Sequence, residues 1–256
     1  MSKRNTQLRR HTITTLVNEQ GEVSVESLAT RFETSEVTIR KDLAVLEESG
    51  LLLRRYGGAI ALPKEVVSEE LSPKVSIHKL SIAKEAAKLI RDHNRIVIDS
   101  GRTTGALIEQ LNEKRGLVVM TNSLQVANAL SELENEPTLL MTGGTWDTRS
   151  ESFQGNVAES VLRSYDFDQL FIGCDGIDID RGTTTFNELI GLSKVMAEVS
   201  REVIVMVESE KFGRKIPNLE LSWDCVDVLV SDPELSDDDV HQIESHGVRV
   251  IRASFA

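Results

Sequence analysis

The sequence predicts a two-part α/β chain: a small helical head ending in a β-hairpin over residues 1–62, and a larger α/β domain with a mostly parallel sheet over 76–256. Three observations predict it. Helical periodicity and caps follow one another quickly near the N-terminus, and a Gly pair there marks a tight turn. Beyond residue 76, short branched apolar runs recur with amphipathic stretches between them, the pattern of buried strands alternating with covering helices. Charge divides the same way. Nine Lys or Arg stand against eight Asp or Glu in residues 1–56, a segment near +1, so the remainder carries about -13 of the total -12. An acidic body repels a polyanion, which leaves the head as the only plausible docking surface for one.

In chain order, "LRRHTITTLVNEQG" sets Leu8, Ile13, Leu16 and Val17 on one helical face, and Gly21 ends it. "SVESLATRF" starts at Ser24, a good N-cap, with Glu26 in its first turn. A third helix begins at Ser35, runs to about Glu48 and closes at Gly50. "LLLRRY" and "AIAL" flank Gly57 and Gly58 as a hairpin. Helix, helix, turn, helix, hairpin is the order of a winged helix-turn-helix. "PKEVVSEELSPK", with Pro63 and Pro73 near its ends, reads as a linker, giving boundaries of 1–62, 63–75 and 76–256.

At about 100° per residue, Ile39, Leu43 and Leu46 of the third helix face the small core, while Val37, Lys41 and Ala44 point away with Thr38 and Arg40 on the flanks. That outer face holds two cations, a hydroxyl and small apolar groups, and no carboxylate is expected on it before Glu48. Arg or Lys pairs with guanine, and Thr or Val meets a thymine methyl, so the face suits the major groove of DNA. Arg54, Arg55 and Tyr56 on the hairpin suit phosphates or the adjacent minor groove.

In the larger domain the strands are expected in "RIVID", "LVVMT", "TLLMT", "QLFIGCD", "EVIVMVE", "VDVLVSD" and "VRVIR". Helices are expected over 103–111, 123–133, 156–164, 187–200 and 237–245. Polar loops follow the strand ends, where open α/β sheets bind ligands. In the first, Asp99, Ser100, Gly101, Arg102, Thr103 and Thr104 bring hydroxyls, a flexible Gly and a guanidinium to a helix start, the parts of a phosphate cradle. An ordinary capped turn uses the same residue types. Thr121, Asn122 and Ser123 form the second loop, and Gly143 with Gly144 lets the backbone approach a ligand in the third. Asp175, Asp178 and Glu188 are carboxylates able to accept sugar hydroxyls, and Lys211 follows a strand within reach of a phosphate. Neither GxxxxGK[ST] nor GxGxxG occurs.

No apolar run approaches the roughly 18 residues that cross a bilayer, and "MSKRNTQLRRHT" has no apolar core of a secretory signal, so the cytoplasm is expected. Cys174 and Cys225 match no metal spacing and are expected as reduced core thiols, with no cofactor and no metal.

"SEVTIRKDLAVLEESGLLLRRYGGA" resembles the DNA-binding signature of the DeoR family of bacterial sugar-catabolism regulators, S-x-x-T-I-R-x-D-L followed by a basic strand and Y/H-G-G-A. Ser35, Thr38, Ile39, Arg40, Asp42 and Leu43 match position for position. The body is similar to that family's effector domain, itself like phosphopentose isomerases and CoA transferases: D-S-G-T-T, T-N-S, G-G, G-x-D-G-I-D and D-S-S-K-F correspond to residues 99–104, 121–123, 143–144, 173–178 and 208–212. The resemblance covers roughly residues 5 to 252 and looks nearest to repressors of hexitol and amino-sugar operons. It implies an oligomeric repressor of a carbohydrate operon, released from operator DNA by a phosphorylated sugar or polyol. Arg102 stands where the family usually has Thr, and Glu208 and Glu210 replace an Asp and a small residue beside Lys211. The rival reading is a sugar-phosphate isomerase, since Asp175-Gly176-Ile177-Asp178 resembles the isomerases' Asp-Gly-Ala-Asp. The Lys and Gly run that should follow is replaced by "RGTTTFNE", so a sensor is preferred over an enzyme.

Overall fold

The computed structural model describes residues 3–48, 52–60, 75–148, 150–187, 190–214, 216 and 218–255. The backbone divides into two compact units, 1–74 and 75–256. The expected cap at Gly50 and most of the 63–75 segment lie outside the described residues, as does Glu188.

In the first unit, α1 (Lys3–Gln20) is followed by β1 (Glu22–Ser24), α2 (Val25–Arg31), α3 (Glu36–Glu48), β2 (Leu53–Arg55) and β3 (Gly58–Ile60). Ser24 Oγ accepts the Ser27 N–H at 3.0 Å and starts α2, and Ser35 Oγ accepts the Thr38 N–H at 3.2 Å and starts α3. The wing is a three-stranded antiparallel sheet in the order β1-β3-β2. Its β1 is absent from the sequence reading: three residues carry no period, and only pairing with β3 makes them a strand. Gly58 is required there, because a Cβ would lie 2.2 Å from the Val23 carbonyl oxygen of β1. Ile13, Leu16, Val17, Leu28, Ile39, Leu43 and Leu46 meet in one core as the periodicity indicates, while the Leu8 side chain lies outside the description.

A polar fastener closes this small core. Asp42 of α3 is buried and accepts Arg9 Nε at 2.6 Å and Arg10 Nε at 2.8 Å, both from α1. Two of the cations that made the head look basic are therefore consumed inside it.

The second unit is a seven-stranded, all-parallel sheet flanked by helices. Its elements are α4 (Ile77–Ala87), β4 (Arg95–Ile98), α5 (Arg102–Gly105), β5 (Val118–Thr121), α6 (Leu124–Ser131), β6 (Thr138–Met141), the hairpin β7 (Thr145–Asp147) and β8 (Ser152–Gln154), α7 (Asn156–Leu162), β9 (Phe167–Ile172), β10 (Gly176–Asp178), β11 (Gly182–Thr185), α8 (Gly191–Glu198), β12 (Ser200–Met206), β13 (Asn218–Ser222), β14 (Val228–Ser231), α9 (Asp237–Glu244) and β15 (Arg249–Arg252). The large sheet runs β15-β14-β12-β9-β4-β5-β6, and every neighbouring pair is parallel. Each of the seven apolar runs is one of these strands.

Alternation splits the strand residues between two cores. Val97, Met120, Leu170, Ile172, Val203, Val205 and Leu229 pack with side chains of α7, α8 and α9. Ile96, Ile98, Val119, Phe171, Ile204, Met206, Val228 and Val230 pack with those of α4 and α6. Both faces are covered, which is why these strands read as continuous apolar runs.

Several expectations are corrected. The helix over 103–111 breaks into α5 and a 3₁₀ turn, Ile108–Leu111, because the backbone tightens to bonds such as Leu107 N to Thr104 O at 3.0 Å. The helix over 187–200 shrinks to α8, and Ser200 opens β12. Strand β9 ends at Ile172, before Cys174 and Asp175. Helix α4, the hairpin β7–β8 and a small antiparallel sheet, β10-β11-β13, are additional. Cys225 is exposed rather than a core thiol, since the 223–225 turn buries Trp223 and turns Cys225 outward; both cysteines are free.

Candidate functional site

The strand order places the ligand end of the sheet. From β4 the chain winds one way through β5 to β6, then returns to the other side of β4 with β9 and winds outward through β12, β14 and β15. The switch point therefore lies between β4 and β9, and crevices outside the carboxyl ends of strands at such points bind ligands. Across this edge the loops after β12, β9, β4, β5 and β6 are neighbours in that order. They contain Lys211, Asp175, residues 99–104, residues 121–123 and Gly143-Gly144.

Asn122 stitches two of the loops. Its Oδ1 accepts the Ser100 N–H at 3.0 Å, and its Nδ2 donates to Asp99 Oδ1 at 2.8 Å. Its carbonyl takes the Phe153 N–H of β8 at 2.8 Å, tying the hairpin to the same edge. Ser123 caps α6 by accepting the Val126 N–H at 3.3 Å, and Thr121 Oγ1 accepts the Ser123 N–H at 3.1 Å. In the first loop Thr104 is buried and spends its hydroxyl on the Gly101 carbonyl at 3.0 Å, whereas Arg102 is exposed. The helical turn there is four residues long, so the loop's amides and side chains, not a long helix dipole, define this corner.

Gly144 has another job than the one expected. With φ +113, a Cβ there would stand 2.6 Å from the Gln154 carbonyl oxygen and 3.1 Å from Ala158 Cβ, so it lets β8 and α7 close in. Gly143, at φ +59, faces open space.

Asp175 is held by β11: its Oδ2 accepts Thr185 Oγ1 at 2.7 Å and the Phe186 N–H at 2.9 Å. Lys211 Nζ donates to the Cys174 carbonyl at 3.0 Å, and Arg214 Nη1 to the Asp175 carbonyl at 3.3 Å. The two carboxylates that precede Lys211 in sequence have other partners. Glu208 is buried against Lys79 Nζ at 2.9 Å and Ser76 Oγ at 2.9 Å of the α4 start, and Glu210 lies 3.6 Å from Arg214. Asp178 does not join this group. It closes the β10–β11 turn, accepting Arg181 Nε at 2.6 Å and the Asp180 N–H at 3.2 Å, and the Arg181 guanidinium holds its carboxyl below the usual range. Three residues of extended strand separate it from Asp175 by about 10 Å.

One buried carboxylate is missing from the sequence reading. Pairing of β11 with β13 passes from Thr183–Leu221 to Thr184–Leu219, which leaves Glu220 as the extra residue of a β-bulge, a device that re-aims side chains. Glu220 meets Ser193 Oγ at 2.8 Å and Thr183 Oγ1 at 3.4 Å. Burial first, then the nearby Asp99 and Asp175 charges, raise its pKa to about 8. Burial raises Asp99 to about 6 against the pull of Asn122 and Ser100, and burial pushes the Cys174 thiol upward. A Glu alternating with Leu in "NLELS" was the available signal. Both carboxyls are thus shifted toward their neutral forms, Glu220 further than Asp99.

One group of potential metal ligands occurs among the described residues: His78, Asp232 and Glu234 offer atoms within 4.8 Å of one another. Asp232 already receives the Ser209 and Glu234 N–H groups at 2.8 and 2.9 Å.

On the first unit, Val37, Arg40 and Lys41 of α3, Arg54 and Arg55 of β2, and Tyr56 at the hairpin tip are all exposed, as is Ser35. Ser35 Oγ and Thr38 Oγ1 bond each other at 2.9 Å. The expectation of a carboxylate-free outer face fails: Glu36 Oε2 lies 2.6 Å from Arg40 Nη2. Its position four residues before Arg40 puts the two side chains on one flank of the helix.

A winged helix-turn-helix joined to an α/β domain with polar loops at its switch point defines a DNA-binding regulator with a sensor domain. Residues 9–65 match the DeoR-like helix-turn-helix domain and residues 75–233 the DeoR C terminal sensor domain. The chain belongs to the DeoR family of transcriptional regulators. It is 38% identical over 249 residues to a putative aga operon transcriptional repressor of Escherichia coli O157:H7, covering 95% of this chain and 92% of that protein. It is 32% identical over 248 residues to the HTH-type transcriptional regulator GlpR of Haloferax volcanii, covering 95% and 96%. These relatives are regulators, not enzymes. Among solved structures, ribose 5-phosphate isomerase A of Methanocaldococcus jannaschii is similar at 20% identity with a TM-score of 0.38, over 52% of this chain and 53% of that one.

Proposed function

We propose that the chain is a cytoplasmic homo-oligomeric repressor of a carbohydrate-catabolism operon, released from its operator by a phosphorylated sugar or polyol. The observation that carries the sensor half is the convergence at the β4/β9 switch point: Asp99, Ser100, Asn122, Asp175 and Lys211 come from loops far apart in sequence onto one edge, with Glu220 beside them. Cations at Arg102 and Lys211 suit a phosphate, and the carboxylates suit hydroxyls. A relative's description as an operon repressor supports the regulatory half. In this reading Thr38, Arg40 and Lys41 meet base edges with Ser35 and Val37 beside them, Arg54, Arg55 and Tyr56 meet the backbone, and residues 63–75 link head to sensor.

Thermal-shift screening of the full chain against sugar and polyol phosphates tests this. One class should raise the melting temperature and, at the same concentration, lower operator affinity about a hundredfold, which needs about 2.7 kcal/mol of coupling. Arg102→Met and Lys211→Met should keep operator binding and lose the ligand response. An unchanged response in both variants removes the phosphate site from these loops.

A further inference from the structure

The head presents its DNA-facing arginines already paired. Arg40 of α3 is held by Glu36 at 2.6 Å, and Arg54 of β2 lies 3.6 Å from Glu47, whose Oε1 also accepts the Arg54 backbone N–H at 3.1 Å. Arg55 is bonded to Glu22 of β1. Three carboxylates, two at opposite ends of α3 and one on β1, thus occupy three guanidiniums, and Glu36 with Arg40, like Glu22 with Arg55, is about half exposed. Buried Asp42 explains none of this, because it serves Arg9 and Arg10 inside the core.

Exposed pairs of this kind add little to folding, so stability does not account for their repetition. Their consequence lies in binding. A guanidinium that leaves a carboxylate for a phosphate exchanges one anion for another, and the abandoned carboxylate then stands beside a polyanion. Sequence-independent affinity comes almost entirely from such phosphate contacts. At a matching site the account differs for Glu36, which sits in the first turn of the recognition helix, where side chains reach base edges. There a cytosine amino group is a donor for the displaced carboxylate, and Arg40 gains paired bonds to guanine.

We propose that Glu22, Glu36 and Glu47 stand in for phosphate on the DNA-facing side of the head and suppress binding to DNA of arbitrary sequence. The proposal rests on the reading that Arg40, Arg54 and Arg55 face DNA.

The test uses the full chain and a random-sequence 25-base-pair duplex, read by fluorescence anisotropy across a salt series. Glutamine keeps the acceptor oxygen and removes the charge, so Glu22→Gln, Glu36→Gln and Glu47→Gln should fold normally, with unchanged circular dichroism. Each should bind the duplex about two- to fivefold tighter, the triple variant at least tenfold tighter, with a steeper salt dependence. Glu26→Gln is the control for bare charge: Glu26 is exposed on α2 and has no ion-pair partner among the described residues. A triple variant no tighter than wild type, or Glu26→Gln matching Glu36→Gln, overturns the proposal. Replacing Arg40, Arg54 and Arg55 together by Ala separates the two readings. If that variant loses duplex affinity while the glutamine variants gain none, the arginines face DNA and the carboxylates are not a brake. If neither set changes affinity, both readings fail.

Discussion

The head and the body solve the problem of buried polarity in opposite ways. In the head, eleven buried apolar residues among those described form one core, and the charge inside it is a structural clasp, Asp42 between Arg9 and Arg10. In the body, two large cores cover the sheet, Lys79 and Glu208 form one buried pair, and a further acidic cluster gathers at the ligand end, half-buried Asp99 and Asp175 with buried Glu220. A small domain has little apolar area to bury and leans on polar fasteners, whereas a large sheet has stability in reserve for carboxylates that share one desolvated edge. Substitutions test that contrast.

The largest effect should follow Asp42→Ala. It leaves Arg9 buried without its carboxylate, so the head should lose about 3–5 kcal/mol, most of a small domain's stability. Calorimetry should show the head's transition collapse and DNA binding vanish while the body's transition stays. A single transition lowered for both would mean that the two units do not melt independently.

Lys79→Met is the equivalent cut in the body. It strands Glu208, and a loss of about 3 kcal/mol is expected, yet the larger unit should remain folded at 25 °C. The double variant Lys79→Met with Glu208→Met should recover most of the loss in urea melts, because two packed apolar side chains replace a costly pair.

Arg40→Ala should keep the fold and cost about 1–3 kcal/mol at the operator if it reads a base, measured against random duplex at matched salt.

The pH dependence separates the regions most finely. Glu220 has its pKa raised in the folded chain to about 8 from an ordinary 4.5, so the folded state holds that proton more tightly than the unfolded one. The body's stability is therefore greatest below the unfolded pKa and falls as pH rises from about 4.5 through about 8. The body's melting temperature should drop by several degrees between pH 6 and pH 9. Glu220→Gln should flatten that slope and be the more stable protein at pH 9. The head's own transition should be the same in Glu220→Gln as in the parent chain, because the substitution lies in the other unit.

Much of this was legible in the chain. All seven strands of the large sheet stood out as branched apolar runs, because helices cover both faces of the sheet and its inner strands bury side chains on each. The third helix and its inward face followed from spacing alone. What stayed hidden depended on partners distant in sequence. Strand β1 is three residues that exist only against β3, and Glu220 is re-aimed only by the bulge where β13 pairs with β11.

Local order thus decided most of the helices, the seven strands of the large sheet and which loops carry hydroxyls and charge, since periodicity, caps and turns act within a few residues. Tertiary structure alone decided strand order, and with it the switch point that brings residues 99, 122, 175 and 211 to one edge. It alone exposed Glu220, because a bulge and the burial around it belong to neither strand by itself. Electrostatic pairing and desolvation are set by distance in space, and sequence separation does not encode that distance.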